Sequence, residues 1–571
     1  MIRLKDQTLL VETRTLSAEI TRGFLTSLRA RDGGAPCLQP FDTSAGSALQ
    51  LIYASGEAVG FEASKPVDVV SRLRSDHQAE VRFHGWDADG LVHIRECPEN
   101  GALLMEPSAY SSRPGVLACR WNLRGIADGM QLVAPFYQGV RLALDDELVR
   151  DSRWVWPFQW EAGLAILLGK TGGFWVHTRD TRYRYKALKV GAADDARCLG
   201  FDTEAYGPVD SNLGAGGLCW RVNVFKGDWQ EPARQYRQWL WQAYDLKPRQ
   251  DRRKAWVRDV RLAIGWCNGE PELLDALAAR IDPRKVLIHF SDWRTDAYDE
   301  NYPDYMASDR ARLFMAKGAA MGFHILPHCN SIDMDPTHPV YPAVRDFQYR
   351  EVAGKILQGW AWDTERQVSL RVPNSNVALL ENRRRKVMVK IHPGLAMWRS
   401  ILADSIQRGL ADLPVDAVFI DVTLCTWNLH NCLVENVTST EGMKYLIDRV
   451  AETRTGAAPQ DGLVVGGEGL NEIIAQGLSV GQVHLFRSSG PSIRGLERTG
   501  GCALNALLFD GLARTFGYSG LAGRNEDEIL RSDLHLSHGA IPTITGPSPA
   551  DILQPNPYVG QLLERAADGG P

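Results

Sequence analysis

The sequence predicts a multidomain protein in which an N-terminal antiparallel β-sandwich precedes a (β/α)8 barrel of the TIM type. Two observations lead to this prediction. Before about residue 230 the chain consists of short strand-like runs, and no helical pattern longer than about two turns interrupts them. After residue 257, strand-like and helical runs alternate. With 571 residues, the chain has room for about two to four domains.

The N-terminal runs alternate apolar or β-branched residues with polar ones. Turn signals such as RDGG, DADG and PENG separate them. Many short strands with frequent turns are typical of a large sandwich, so we predict a β-sandwich over residues 1–228. The clearest runs are Thr8–Thr13, Ala48–Tyr53, Val67–Leu73, Glu80–Phe83, Val92–Arg95, Leu117–Leu123 and Gln131–Ala134.

A linker helix is predicted over residues 229–256. Ala233, Tyr236 and Leu240 recur at a spacing of three to four residues, which places them on one apolar helical face. Lys247 and Pro248 then end the pattern, because proline cannot continue a helix.

Residues 257–571 are predicted to form the barrel, because they contain eight strand-like runs with helical or loop connections. An open doubly wound sheet is the alternative, although no Gly-rich phosphate-binding fingerprint follows the first run. A long insertion over residues 331–393 has room for a hairpin. The eight runs are 257–266, 285–293, 323–330, 416–422, 462–469, 482–487, 513–520 and 540–546.

Two carboxylates lie where barrel strands are predicted to end, which is where barrel enzymes place their functional groups. Asp421 follows the apolar run Ala417–Ile420, and Glu468 lies between glycines on the next strand. Neighbouring strands lie about 5 Å apart, and two carboxylates about 5 Å apart are the machinery of a retaining glycosidase. Structural carboxylates that cap helices or pair with arginine are the alternative.

Other strand ends and loops carry polar or aromatic side chains suited to a polyhydroxylated ligand. Indole rings stack on sugars, and amide, imidazole and carboxylate groups bind hydroxyls. Core packing, caps and ordinary ion pairs are the alternatives. The segment 154–161 could add an aromatic wall, whereas the acidic loop around Asp299 and Asp304 is expected to be solvated. The candidate binding residues are Trp266, Asp292, Trp293, His328, Asn330, Trp427 and Arg487.

Composition excludes several classes of partner. There are 64 Lys and Arg against 69 Asp and Glu, so the net charge of −5 gives no reason to expect nucleic acid or an anionic membrane. No apolar run is long enough to span a bilayer, and the N-terminal residues do not resemble a signal peptide. We therefore expect a cytoplasmic protein with reduced thiols.

No cofactor and no metal are predicted. Cys425, His430 and Cys432 lie near Asp421 in the sequence, which leaves a zinc site as a minor alternative. No second pair of ligands has the spacing that structural zinc sites use, so this alternative is not favoured.

The order of domains resembles that of retaining α-glycoside hydrolases. A sandwich, a Gly227-Asp228-Trp229 linker and a barrel with Asp on the fourth strand and Glu on the fifth are similar to glycoside hydrolase families 101 and 129, which are α-N-acetylgalactosaminidases, and to uncharacterised glycosidase-like barrel proteins. The resemblance implies that Asp421, in FIDV, is the nucleophile and that Glu468, in GGEG, is the acid/base residue.

We therefore predict a retaining, exo-acting glycoside hydrolase for an α-linked hexoside, a short oligosaccharide or a glycoconjugate. The expected partner is this small glycoside or oligosaccharide. A metal-dependent sugar isomerase or lyase on the same scaffold, and a carbohydrate-binding protein without catalysis, are the alternatives. The identity of the sugar, the linkage and the oligomeric state stay open.

Overall fold

The computed structural model describes residues 1–61, 68–85, 88–146, 150–191, 197–248, 254–354, 358–363, 368–373, 385–458, 462–484, 502–517 and 523–568. The chain divides into two compact units. We call the first the sandwich unit; it comprises Met1–Ala243, Val352–Gly354 and Trp427–Cys432. We call the second the barrel unit; it comprises Tyr244–Glu351, Lys355–Thr426 and Leu433–Pro571. The finer division at residues 228 and 256 stays a prediction.

The sandwich unit is built from antiparallel sheets, as predicted. Their strand orders are β1-β2-β3-β4, β13-β12-β15-β16-β20-β10-β9-β8-β7 with β19 beside β10, and β14-β17-β18-β11-β5-β6. The strands β1 to β20 are, in order, Ile2–Lys5, Thr8–Glu12, Leu16–Thr21, Phe24–Ala30, Leu49–Tyr53, Ala58–Gly60, Asp68–Ser75, Gln78–Gly85, Ala88–Glu96, Leu103–Ser111, Val116–Leu123, Gln131–Ala134, Val140–Ala143, Ser152–Val155, Leu164–Leu168, Gly172–Thr178, Lys186–Val190, Leu199–Glu204, Gly214–Gly216 and Trp220–Lys226.

Aromatic side chains join the two larger sheets. The rings of Phe201 on β18 and Trp220 on β20 lie 5.1 Å apart, and both side chains are fully buried. Large aromatic rings bury much apolar surface, so contacts of this kind form the core of a sandwich. Helix α1, Gln230–Ala243, ends the first and longest segment of the sandwich unit. Its predicted apolar residues Ala233, Tyr236 and Leu240 are buried.

The barrel unit contains an eight-stranded parallel sheet in the order β33-β32-β31-β28-β23-β22-β21-β34. A parallel bridge between Phe516 and Ile541 joins its two ends, so the sheet is nearly closed into a barrel. The predicted fold class is therefore confirmed. The strands β21 to β34 of this unit are, in order, Leu262–Cys267, Val286–Phe290, His324–Asn330, Asp333–Met334, Gln358–Asp363, Val368–Pro373, Arg385–Lys390, Ala417–Asp421, Leu433–Val434, Val437–Thr438, Val464–Glu468, Val480–Val483, Arg514–Gly517 and Thr543–Thr545.

Helices alternate with the strands of this sheet along the chain, and capping residues explain where some of them begin and end. Ser308 caps the N-terminus of one helix, because its hydroxyl accepts from the amide of Ala311, and Gly322 ends the same helix in the left-handed region, at φ 97°. The α-helices α2 to α11 are, in order, Trp256–Asp259, Pro271–Ala278, Asp309–Met321, Tyr341–Val344, Ala396–Leu410, Ser439–Ala451, Leu504–Phe509, Glu526–Ser537, Pro549–Leu553 and Pro557–Asp568. The 3-10 helices are Pro283–Lys285, Arg345–Phe347 and Ile474–Gln476.

The predicted insertion holds a small antiparallel sheet of order β24-β27-β25-β26. Strands β25 and β26 pair as a hairpin, with Gln358 opposite Pro373, and Asp333 on β24 pairs with Lys390 on β27. The insertion thereby brings Asp333 and Lys390 into the barrel unit as an adjacent pair of opposite charge.

The interior of the barrel changes from apolar to polar along the strands. One buried core cluster includes Leu287, Leu326, Phe419, Val464 and Val480. Because side chains alternate between the faces of a strand, residues at even spacings from these share their face. By that rule the inward positions nearer the carboxyl ends are polar: His289, His328, Asp421, Glu468 and Gln482.

Candidate active site

The two predicted carboxylates come together at the ends of adjacent strands. Asp421 is the last residue of β28 and Glu468 the last of β31, and these parallel strands pair Ile420 with Gly467. Glu468 Oε2 accepts a hydrogen bond of 3.1 Å from the amide of Val422, the residue after Asp421. Asp421 is 7% exposed. The structure therefore brings a buried acid, Asp421, and a half-buried acid, Glu468, together at the carboxyl end of the barrel.

The residue that follows Asp421, and whose amide bonds Glu468, has a strained backbone. Val422 has φ 63°, in the left-handed region that β-branched residues rarely occupy. In this conformation its amide faces Glu468 and closes the 3.1 Å hydrogen bond. Thr423 supports the same strand end, because its hydroxyl donates to the carbonyl of Glu468 at 2.7 Å. Strain of this kind is concentrated at functional sites, where surrounding contacts hold it in place.

One hydrogen bond and one longer contact reach the same oxygen of Asp421. The hydroxyl of Tyr298 donates to Oδ2 at 3.2 Å. His328 Nε2 lies 3.7 Å from the same oxygen, and it has no closer hydrogen-bond partner among the described residues. Tyr298 was not singled out from the sequence, because it lies inside an acidic loop rather than at the end of a strand.

Arg294 folds this acidic loop inward. Its guanidinium donates to the carbonyls of Ala297, Glu300 and Asp304 at 2.8–3.0 Å, so the loop wraps around a cation that is itself 7% exposed. The expectation of a solvated loop is therefore wrong for Asp299, which is buried, although it holds for Asp304, which is exposed. Tyr298, beside Asp299, reaches Asp421 from this loop.

His484 holds the second carboxylate. Its Nε2 lies 2.6 Å from Glu468 Oε1. The sequence reasoning missed this residue because it placed the sixth strand at 482–487 and therefore its end at Arg487. The sixth strand is Val480–Val483, so the residue directly after it is His484. The signal was present in the run QVH, where a histidine follows a buried strand. Arg487 lies outside the described residues.

Burial and neighbouring acids act on Asp421. Burial raises the pKa of this carboxyl well above its ordinary value, and the charges of Glu468, Asp299 and Asp333 raise it further. The pKa of Glu468 is lowered: burial opposes the charge, but the charge and hydrogen bond of His484, with Lys390, outweigh it. In the free protein, Asp421 therefore has the higher proton affinity of the two carboxyl groups.

Lys390 supplies positive charge to this site. Its Nζ is 2.7 Å from Asp333 Oδ1, and the lysine side chain is 12% exposed. Although burial opposes it, the charge of Asp333 raises the pKa of Lys390, so the ammonium form persists. Neither Lys390 nor Asp333 was identified from the sequence, because they lie in the insertion, where no strand-end rule applies.

Two buried histidines contact each other, and one of them, His328, lies next to Asp421. His289 Nε2 and His328 Nδ1 are 2.9 Å apart, and both side chains are 1% exposed. Burial lowers the pKa of His289 to about 3. Burial, together with His289 and Arg294, also lowers the pKa of His328 well below its ordinary value. Both imidazoles are therefore neutral in the physiological range.

Two of the predicted binding residues, Trp266 and His328, join this cluster. The indole ring of Trp266 lies 5.8 Å from the ring of Tyr298 and 5.6 Å from that of His328. Trp266 also has a left-handed backbone, with φ 52°. Asn330 is buried, and its amide bonds Asp333 at 3.1 Å, so it shapes the turn after β23.

The other predicted binding residues are placed differently. Trp293 is fully buried, and its indole N–H donates to the carbonyl of His328 at 2.7 Å, so no face of the ring is open to a sugar. Asp292 is exposed and pairs with Arg310 at 2.6 Å. Trp427 belongs to the sandwich unit, where its ring lies 6.3 Å from that of Phe158. Its part in binding stays a prediction.

The described residues contain no group of three or more His, Cys, Asp or Glu arranged to hold a metal ion. Within the minor zinc alternative, Cys425 belongs to the barrel unit, whereas His430 and Cys432 belong to the sandwich unit. No helix in the described part of the chain is long and apolar enough to cross a membrane.

Comparisons with known proteins agree with the fold. The model of a family described as a domain of unknown function (DUF6259) matches residues 219–453. No curated protein matches the chain. Among solved structures, the ligand-free α-N-acetylgalactosaminidase NagBb from Bifidobacterium bifidum is similar, with a TM-score of 0.65 and 13% identity over 99% of this chain and 93% of that one.

A second solved structure is similar at lower score. It is a sulfoquinovosidase of glycoside hydrolase family 31 from E. rectale, with a TM-score of 0.54 and 10% identity over 99% of this chain and 82% of that one. At such low identity these likenesses show the fold alone. The chain has the fold of glycosidase-like barrel proteins with N-terminal antiparallel sheets, which is the resemblance that the sequence indicated.

Proposed function

We propose that this protein is a retaining glycoside hydrolase with its active site at the carboxyl end of the barrel. The observation that carries the proposal is the pair of Asp421 and Glu468 at the ends of adjacent strands, joined through the amide of Val422. A pair of carboxyl groups, one to attack or assist and one to move a proton, is what glycoside hydrolysis requires. Structural likeness to glycosidases at the level of the fold supports it.

In the first step, an oxygen of Asp421 bonds to the anomeric carbon as the bond from that carbon to the leaving oxygen breaks. Glu468 gives its proton to the leaving oxygen. In the second step, Glu468 takes a proton from water, whose oxygen bonds to the anomeric carbon and releases Asp421. His484, 2.6 Å from Glu468, stabilises the carboxylate that forms in the first step.

The opposite pKa shifts of Asp421 and Glu468 affect which of the two carries the proton before the substrate reacts. The reaction starts from an ionised Asp421 and a protonated Glu468, whereas the free protein favours the proton on Asp421. Two acids so close titrate as a unit, so a single proton passing between them converts one state into the other. The reaction proceeds from the fraction in which Asp421 is ionised and Glu468 is protonated, and the positive charge that develops on the sugar is then stabilised by the ionised Asp421.

We propose an α-linked hexoside, a short oligosaccharide or a glycoconjugate as the substrate, cleaved from its end. The similar proteins are an α-N-acetylgalactosaminidase and a sulfoquinovosidase, so galactosaminides and anionic hexosides belong in the test panel. The Trp266 and Tyr298 rings, close to Asp421, offer flat surfaces for a sugar.

The decisive experiment is turnover of a panel of α- and β-linked aryl glycosides by the wild type, Asp421→Ala and Glu468→Gln. Asp275→Asn is the matched control, since it removes the charge of an exposed acid paired with Lys317. We expect turnover of at least one α-glycoside that falls by on the order of 10⁴-fold in Asp421→Ala and remains intact in the control. Undiminished activity in Asp421→Ala would refute the proposal.

Azide assigns the two roles. With azide as an external nucleophile, Asp421→Ala should form a glycosyl azide of inverted anomeric configuration, whereas Glu468→Ala should form one of retained configuration. The opposite pattern would make Glu468 the nucleophile.

Activity that disappears with a chelator and returns with a divalent metal would favour the isomerase or lyase alternative, and tight glycan binding without product would favour the binding protein.

A further inference from the structure

We propose that His289 and His328 form a proton-donor chain of fixed direction, which positions Asp421 so that Oδ1 is the attacking oxygen. The inference rests on the proposed function and adds positioning residues to it. The chain runs from the backbone amide of Trp266 through both imidazoles to Oδ2 of Asp421.

Two hydrogen bonds and one longer contact define the chain. The amide nitrogen of Trp266 lies 3.4 Å from His289 Nδ1. His289 Nε2 lies 2.9 Å from His328 Nδ1. His328 Nε2 lies 3.7 Å from Asp421 Oδ2. Every ring nitrogen of the two histidines therefore faces one specific neighbour.

The direction of the chain follows by elimination. A backbone amide only donates, so His289 Nδ1 accepts from Trp266 and carries no proton. A neutral imidazole has one proton, and it must therefore be on His289 Nε2, which donates to His328 Nδ1. The proton of His328 is then on Nε2, facing Asp421. The reverse direction would leave His289 with no proton at all.

The consequence concerns the two oxygens of Asp421. Oδ2 receives the hydroxyl of Tyr298 at 3.2 Å and faces the N–H of His328. Tyr298 is the side chain that hydrogen-bonds the Asp421 carboxylate among the described residues, and it bonds Oδ2; the amide of Val422, which donates to Glu468, also favours the ionised form of Asp421. Donors stabilise charge on the oxygen that they address, so Oδ2 is held and Oδ1 keeps its lone pairs for the anomeric carbon.

The same donors oppose the three acids that act on Asp421. Glu468, Asp299 and Asp333 disfavour its charge, and Lys390 on the insertion favours it. His328 and Tyr298 provide neutral donors that stabilise the carboxylate without adding a fixed charge. Losing either donor should therefore make Asp421 harder to ionise.

The first test reads the tautomers directly and needs no substrate. In the full chain labelled with ¹⁵N-histidine, long-range ¹H–¹⁵N spectra distinguish imidazoles protonated at Nε2 from those protonated at Nδ1. The signals of His289 and His328 are assigned by their loss in His289→Gln and His328→Gln. We expect both rings to be neutral and protonated at Nε2 at pH 7. A proton on Nδ1 of either ring, or a doubly protonated ring, would overturn the inference.

The second test uses the aryl glycoside found for the wild type. We expect His328→Leu to lower kcat by on the order of 10²-fold, as the loss of a preorganised donor does, and to move the acidic limb of kcat/KM to higher pH. His328→Gln, whose amide nitrogen takes the place of Nε2, should restore much of both. Tyr298→Phe removes the other donor from a loop position that is 36% exposed, and should move the limb in the same direction.

The outcomes are separable. If the wild type cleaves no glycoside, the proposed function fails, while the spectra still decide the tautomer chain. If it does cleave one and the acidic limb is the same in His328→Leu, Tyr298→Phe and wild type, the positioning role is refuted. A purely structural role for the histidines would lower stability without moving the limb.

Discussion

Asp202 of the sandwich unit and Asp421 of the barrel unit are both buried carboxylates on β-strands, and they differ in what surrounds them. Asp202 is fully buried and accepts from Arg120 at 2.6 Å and from Arg153 at 2.7 Å. Arg153 also bonds Glu204 at 2.5 Å. Although burial opposes it, the two arginines lower the pKa of Asp202. This acid is fully compensated.

Asp421 has no such partner among the described residues. Its neighbours are a tyrosine hydroxyl, a neutral histidine and further acids, the nearby Lys390 is paired with Asp333, and the pKa of Asp421 is raised. Compensated acids keep their charge and hold strands together, whereas an acid in an uncompensated site exchanges its proton readily. The comparison therefore separates a buried carboxylate that stabilises the fold from one suited to chemistry.

The largest effect is expected from Asp202→Ala, which leaves the buried guanidinium of Arg120 without its partner. Breaking a buried ion pair in this way should lower the free energy of unfolding by about 3–5 kcal/mol. Urea unfolding followed by tryptophan fluorescence measures it. A loss below about 1 kcal/mol would mean that the arginine pairs do not stabilise the sandwich unit.

Asp421→Asn should have the opposite sign and stabilise the protein by about 1 kcal/mol at neutral pH, since it removes a carboxyl group whose ionisation the site disfavours. A carboxyl whose folded pKa is raised stabilises the protein below its unfolded pKa, and this contribution is lost as pH rises through the folded pKa. The difference in Tm between variant and wild type should therefore grow with rising pH.

For Asp202, whose pKa is lowered, the contribution is present above the unfolded pKa and is lost as pH falls. Parallel pH trends for Asp202→Asn and Asp421→Asn would break the comparison.

His484→Leu tests the second acid of the barrel pair. The imidazole lowers the pKa of Glu468, so its loss should raise that pKa and keep the carboxyl protonated to higher pH. For an acid/base residue, the alkaline limb of kcat/KM then moves to higher pH in a pH–rate profile. His484→Gln, which keeps a donor, should shift the limb less. A limb that moves to lower pH would contradict the assignment.

The smallest effect is expected from Asp275→Asn, at an exposed pair. The side chains of Asp275 and Lys317 are 63% and 36% exposed, so water screens their attraction. The free energy of unfolding should change by less than about 1 kcal/mol, measured beside Asp202→Ala under the same conditions. A loss as large as that of Asp202→Ala would show that burial does not distinguish the two acids.

Much of the fold could be predicted because its signals are local. Apolar runs such as Ala417–Ile420 mark buried strands, and a carboxylate directly after one is conspicuous, so Asp421 and Glu468 were identified. His484 was missed because the apolar residues after it extended the predicted strand, and only hydrogen bonding to neighbouring strands decides where a strand ends.

Other features depend on contacts that the sequence does not display. The acidic composition of the loop around Asp299 indicated a solvated segment, but Arg294 binds three of its carbonyls and turns it inward. Trp293 was predicted to lie at a strand end, but the strand ends at Phe290 and the indole N–H is satisfied by a carbonyl inside the core. Lys390 reaches Asp333 only because the insertion folds into a sheet.

The amide of Val422 has a consequence for how this protein can change. The hydrogen bond that ties Glu468 to the residue after Asp421 is made by main chain, so almost every substitution at position 422 preserves it. Proline is the exception, since it lacks the N–H and cannot adopt φ 63°. Mutagenesis of the surrounding side chains can therefore diversify what the barrel accepts while this tether between the acids persists. Glycine at 422 keeps the N–H and adopts the same φ without the strain that valine carries there.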